Sequence, residues 1–107
     1  MRHVIAEAAT AQTDTSLIAA PGAGNKTVIY GLYFSSDVQQ KITIEHGSTA
    51  LHAQFVPANG GSIAAFNARP GSGETILWEA PANTAVTYTS SVAGNVVVEA
   101  WYATHKA

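Results

Sequence analysis

The spacing of apolar residues constrains the fold of this chain more than any other feature. Val, Ile, Thr and Tyr cluster in runs of about five to nine residues, and Gly, Pro, Asn and Ser separate these runs. Such runs are typical of strands joined by turns. The periodicity of an amphipathic helix is absent over any stretch of ten or more residues. The sequence therefore predicts strands and turns alone.

The apolar runs predict strands at residues 3–8, 15–20, 27–35, 40–46, 50–56, 61–67, 75–80, 85–91 and 96–104. Eight or nine short strands at nearly even spacing indicate a sandwich or a barrel. A length of 107 residues fits one domain. We therefore expect an all-β fold, a single antiparallel, jelly-roll-like β-sandwich spanning residues 1–107. Residues 1–10 are expected to form an N-terminal arm or an edge strand.

The dipeptide Gly47-Ser48 predicts a two-residue hairpin turn of type II′, because glycine stands at its first position. In that register Ile44 lies opposite Leu51. Phe55 then continues the same apolar face, and polar residues alternate onto the solvent side. The prediction is an antiparallel pair with one wet face.

A second hairpin is predicted between the strands at 85–91 and 96–104. A three-residue loop over 93–95 would pair Tyr88 with Ala100. A two-residue turn at Gly94-Asn95 would instead pair Tyr88 with Trp101. The sequence leaves both registers open.

Charged residues are scarce, at 11% of the chain against about 25% in an ordinary soluble domain. A partner is therefore expected to cover part of the surface. Strands 28–34 and 96–102 are apolar on both faces, although only one face of a sheet reaches the core. The other face predicts an interface, with a covering loop of the same chain as the alternative. The candidate interface residues are Tyr33, Arg69, Trp78, Val97 and Trp101.

The two tryptophans have apolar neighbours in the sequence. A tryptophan that stacks on a sugar or a base usually stands among polar or cationic groups. Packing in the core or at a subunit interface is therefore favoured for both. The polar segment 69–74 is interpreted either as an exposed binding loop or as an ordinary connection.

Several classes of partner and compartment are disfavoured by composition. The five Lys and Arg residues are scattered, and the net charge is −2, so no basic stripe is available for nucleic acid. The chain has no cysteine, which fits folding in a reducing cytosol. Neither a signal peptide nor a membrane-spanning segment is predicted, because no apolar run is long enough.

Catalytic and metal-binding patterns are also missing from the sequence. No Gly-x-Ser-x-Gly elbow occurs. Cupin-like sandwiches hold a metal with a His-x-His pair, which is absent here, and a metal site needs at least three placed ligands. The predicted hairpin register also puts His46 and His52 on opposite faces of the sheet. We expect a protein that is not an enzyme and that has no catalytic residue, metal or other cofactor.

An ordered series of turn and strand segments characterises most of residues 11–103. The series comprises Thr13-Asp14-Thr15-Ser16-Leu17-Ile18 at the start of 13–24, Tyr30-Gly31-Leu32, Gly47-Ser48-Thr49-Ala50-Leu51, Ala58-Asn59-Gly60-Gly61, and Gly94-Asn95-Val96-Val97-Val98 leading to Trp101-Tyr102. It resembles the small β-sandwich proteins of tailed-bacteriophage virions, which include trimeric capsid decoration (cement) proteins and head- or tail-fibre modules. Residues 1–9 and 69–74 lie outside the resemblance.

The resemblance implies a structural virion protein, most specifically a decoration protein that binds the major capsid protein and stabilises the shell. It implies a homo-oligomer, with a trimer favoured, made in the host cytoplasm and carried on the capsid surface. A tail, baseplate or fibre module is the alternative within the virion. A carbohydrate-binding module using Trp78, Trp101 or the 69–74 loop is the alternative of another class.

Overall fold

A computed structural model describes residues 2–47, 49–64 and 78–107, which form strands, turns and loops without a helix. The strands are β1 (Arg2–Ala8), β2 (Gln12–Ile18), β3 (Asn25–Ser36), β4 (Gln40–His46), β5 (Thr49–Val56), β6 (Gly60–Ala64), β7 (Trp78–Glu79), β8 (Val86–Ser90) and β9 (Val96–Lys106). The predicted all-β fold is confirmed. The predicted strands at 61–67 and 75–80 extend into residues 65–77, which lie outside the described part of the chain.

The described strands form two antiparallel sheets that pack face to face. The five-stranded sheet has the order β1-β9-β3-β6, with β7 also paired to β3, and the four-stranded sheet has the order β2-β8-β4-β5. Successive strands alternate between the sheets except at β4–β5 and β6–β7. This is the connectivity of a jelly roll. The predicted antiparallel sandwich is therefore confirmed.

The core lies between the sheets and is built from the inward side chains of both. The buried cluster comprises Leu17, Ile18, Ile29, Leu32, Phe34, Ile42, Ile44, Val56, Ala80, Val86, Tyr88, Val96, Val98 and Ala100. Each fully buried aliphatic or phenyl side chain contributes about 1.5–3 kcal/mol. The alternating burial of β4, β8 and β9 follows from the two-residue period of a strand.

A β-bulge at Tyr30 changes which residues of β3 face the core. Ile29 pairs with Tyr102 and Gly31 pairs with Trp101, so Tyr30 has no partner on β9. The extra residue switches the inward positions from odd to even numbers. Ile29 therefore faces the core before the bulge, and Leu32 faces it after the bulge.

The hairpin of β4 and β5 does not keep the predicted register, and Ser48 of the predicted turn lies outside the described residues. Next to the turn, His46 pairs with Thr49, and Gly47 has a φ of 57°, which glycine tolerates best. A bulge then shifts the pairing by one residue, so Ile44 lies opposite His52 and the predicted Ile44–Leu51 pair is wrong.

The shifted register also overturns the predicted position of Phe55. A shift of one residue moves every later side chain to the opposite face. Phe55 consequently points away from the core and is 73% exposed. Leu51, near the bulge, packs against the core instead.

The predicted hairpin of β8 and β9 is wrong in both registers. β8 belongs to the four-stranded sheet and β9 to the five-stranded sheet, so residues 91–95 cross from one sheet to the other. Asp37 holds this crossing in place. Its carboxylate accepts hydrogen bonds from the backbone N–H of Asn95 at 2.8 Å and from Nδ2 of Asn95 at 2.7 Å.

Candidate protein-interaction face

The side of the five-stranded sheet that points away from the core carries both apolar and polar side chains, and we call this surface the outer face. Side chains alternate between the two sides of a strand, so the residues of the outer face alternate along each strand with residues that point into the core. The pairing of β1, β9 and β3 aligns its residues in rows. Its members are His3, Ile5 and Glu7 from β1, Val97, Glu99 and Trp101 from β9, and Tyr33 and Ser35 from β3.

One end of the outer face is ordered by His3. The imidazole of His3 stacks on the indole of Trp101, with 4.4 Å between ring centroids and 16° between ring planes. Its Nε2–H also donates to Oε1 of Glu99 at 3.0 Å. Since both contacts cross from β1 to β9, they fix the side chains of three residues relative to one another.

Ile5 is the most exposed large apolar side chain of the outer face, at 54%. Ile5 lies directly opposite Glu99 on β9. The half-buried Val97 stands two residues before Glu99 on the same side of β9. β1 is also an edge strand of its sheet. An edge strand leaves backbone N–H and C=O groups available to another chain. Apolar side chains thus occur at Ile5 together with a strand edge that no other described strand pairs with.

Tyr33 occupies the far side of the outer face, over the adjoining strand β6. A Cβ added to Gly61 would lie 2.9 Å from Cζ of Tyr33, so the aromatic ring would have to move aside for any side chain at position 61. Tyr33 borders a shallow cleft of about 490 Å³ that also contains Asn59 and Asn95. The phenol therefore sits where a partner surface can reach it.

The structure brings three of the five predicted interface residues together. Tyr33, Val97 and Trp101 all lie on the outer face. Trp78 lies on the inner side of its sheet, packs against the core, and has its ring centroid 4.9 Å from that of His52. Arg69 lies outside the described residues.

Five residues of the outer face, among them His3 and Ile5, were not among the predicted interface residues. Ile5 and His3 stand in β1, which the sequence assigned only as an arm or an edge strand. The alternation of His3, Ile5 and Glu7 with the inward Val4 and Ala6 is the signal that predicts their common face.

Val28 points away from the core but gives no evidence of a partner protein, because it is already buried within the chain. Val28 pairs with Ala103 and Glu79 on the outer side of the sheet, yet it is fully buried within the chain. The alternative of local covering therefore applies to the first part of strand 28–34, and the predicted interface does not extend there.

The outer side of the four-stranded sheet is more polar around Thr89. The Thr89 hydroxyl donates to Oε1 of Glu45 at 2.7 Å and accepts from the backbone N–H of Asp14 at 3.1 Å. Burial raises the pKa of Glu45, the Thr89 hydrogen bond opposes this, and the Asp14 carboxyl raises it further. Two neighbouring carboxyls supply fewer ligands than a metal ion requires.

The predicted separation of His46 and His52 onto opposite faces is wrong, because the β5 bulge places both on the inner side. Within residues 2–47, 49–64 and 78–107, no three His, Asp or Glu side chains form a group that could hold a metal ion. Nor does this part of the chain contain a helix long and apolar enough to cross a membrane.

Comparison with known proteins finds no matching family model, no matching curated protein and no matching solved structure.

Proposed function

We propose that this chain is a structural assembly protein that binds other protein surfaces, first of all copies of itself, through the outer face. The observation that supports this most is the position of Ile5. Its side chain is 54% exposed, lies close to Val97 and Trp101, and stands on an edge strand. Apolar and aromatic side chains are typical of interface cores, and a strand edge can be extended by another chain.

In the setting implied by the sequence resemblance, the protein is a capsid decoration protein of a tailed phage. It would bind the major capsid lattice as an oligomer, with a trimer favoured. A ligand that binds only the assembled state stabilises that state by mass action. An oligomer that engages several subunits at once gains affinity from its effective concentration without any new contact. A tail, baseplate or fibre module would use the same outer face elsewhere on the particle.

Co-sedimentation with capsids of the phage that encodes the chain tests this function. We expect wild-type protein to pellet with capsids and to raise the temperature at which the capsids open. Imaging of the decorated particle by cryo-electron microscopy then separates a position on the head from one on the tail. A protein that stays monomeric at high concentration and fails to bind capsids would overturn the proposal.

A further inference from the structure

A cleft of about 330 Å³ opens between the two sheets, at the end where β1 begins and β2 finishes. Its lining residues are Arg2, Ile18, Ala19, Ala20, Pro21, Thr27, Tyr102 and Thr104. The cleft is separate from the outer face, because its residues from the five-stranded sheet occupy inward positions. Its volume lies at the lower end of the range for small-molecule sites.

The inner side of the five-stranded sheet changes from apolar to polar at this end. Arg2 pairs with Tyr102, and Thr27 pairs with Thr104. Deeper in the sandwich the corresponding inward positions of β9 hold Val96, Val98 and Ala100 in the core. One arginine and three hydroxyl-bearing residues therefore lie on the lining of one cleft.

The Arg2 side chain has no protein partner in the described part of the chain. The two ion pairs found there join His3 to Glu99 and Lys26 to Glu79. A guanidinium presents its N–H groups in a planar fork that matches a carboxylate. Arg2 is exposed, so it is accessible to a ligand that enters the cleft.

Thr27 provides a second, independent sign of an unfilled polar site. The residue is fully buried, and its Oγ1 has no hydrogen-bond partner. Buried hydroxyl groups in folded proteins nearly always have a partner, since an unmade hydrogen bond is costly. Thr27 lies on the lining of the cleft, where a small displacement on binding would let its hydroxyl reach a ligand.

We propose that this cleft binds a small organic carboxylate. The carboxylate pairs with Arg2, the hydroxyls of Thr27 and Thr104 hydrogen-bond the ligand, and its hydrocarbon part packs on Ile18 and Pro21. One cation among apolar residues suits a monoanion with an apolar body. The carboxylate comes either from a free acid or from an Asp or Glu side chain of another protein. The inference is independent of the assembly function, because the cleft and the outer face share no residue.

Amide NMR titration of the full chain with butyrate tests the proposal, with butyramide as the uncharged match. We expect saturable shifts at Ala19, Thr27 and Thr104 with butyrate, and none that saturate with butyramide. Arg2→Gln should weaken butyrate binding about tenfold or more, since it removes a charge-assisted contact. Lys41→Gln removes the same charge from an exposed position outside the cleft and should leave binding unchanged.

A second arm compares an acetylated, amidated tripeptide containing Asp with its Asn equivalent. Preference for the Asp peptide over butyrate assigns the carboxylate to a protein partner, and the reverse assigns it to a free acid. In either case Arg2→Gln must weaken binding of the preferred ligand. Absence of saturable shifts with both ligands, or equal binding by wild type and Arg2→Gln, would overturn the proposal and leave the assembly function standing.

Discussion

The imidazole of His3 lies almost parallel to the indole of Trp101, with 4.4 Å between the ring centroids, on neighbouring strands of the outer face. Stacked aromatic pairs contribute about 0.5–1.5 kcal/mol beyond their buried area. A double-mutant cycle with His3→Ala and Trp101→Leu should give a coupling free energy in this range, measured by urea unfolding. Additive effects of the two substitutions would show that the stacking contributes nothing to stability.

Gly61→Ala should destabilise the protein by about 0.5–1.5 kcal/mol, the usual cost of forcing a side chain out of its preferred rotamer. The added methyl would lie 2.9 Å from Cζ of Tyr33, so the ring must move. In a Tyr33→Ala background the same substitution should cost much less, because the obstructing ring is gone. Thermal unfolding of the four proteins checks this. An equal loss in both backgrounds would mean that the backbone, and not Tyr33, requires the glycine.

Asp37→Ala should lower the free energy of unfolding by about 1–2 kcal/mol, as expected for lost hydrogen bonds to a charged group. The Asp37 carboxylate accepts two hydrogen bonds from Asn95 and so joins the β3–β4 loop to the chain crossing between the sheets. Asp37→Asn is the matched control, because its amide oxygen still accepts one of them and the loss should be smaller. Equal losses for Ala and Asn would show that charge alone matters at this position.

Glu45 should make stability depend on pH. Burial and the Asp14 carboxyl raise the pKa of Glu45 above its ordinary value of 4.5. A carboxyl whose pKa is raised by folding adds stability below the ordinary value, and that contribution is lost as the pH rises through the folded-state pKa. Glu45→Gln should therefore gain stability relative to wild type as the pH rises above 4.5.

Denaturant unfolding of Glu45→Gln and wild type across this pH range measures the effect. Asp14→Asn supplies a control background, because asparagine also tolerates the positive φ of residue 14. The pH-dependent difference should shrink there, since one cause of the raised pKa is removed. A difference that stays constant with pH, or that favours wild type at higher pH, would contradict the assignment.

Strand positions and fold class were predictable from the sequence because burial alternates with a period of two. The registers were not. The bulges at Tyr30 and in β5 each insert one residue, and nothing in the local pattern of apolar residues distinguishes a bulge from a regular strand. Phe55 was assigned to the core for this reason.

The outer face was predictable in part. Val97 and Trp101 stand out because β9 is apolar on both sides. The alternating residues of β8 and β9 suit a hairpin as well as a crossing between sheets, so the sequence alone did not separate these two arrangements. Ile5 was not predicted because the outward side of a short strand can be assigned to a surface only when the neighbouring strand is known. β1 pairs with β9, which lies at the opposite end of the chain.

The native mass of wild-type protein and two single variants, measured by light scattering, tests the proposed role of the outer face most directly. Ile5→Lys places a charge on the outer face, whereas Phe55→Lys places one on the four-stranded sheet at a site that is even more exposed. We expect wild type and Phe55→Lys to have the same mass, a multiple of 11.1 kDa, and Ile5→Lys to be a folded monomer. A monomeric wild type, or an oligomer lost in Phe55→Lys but retained in Ile5→Lys, would contradict the proposal.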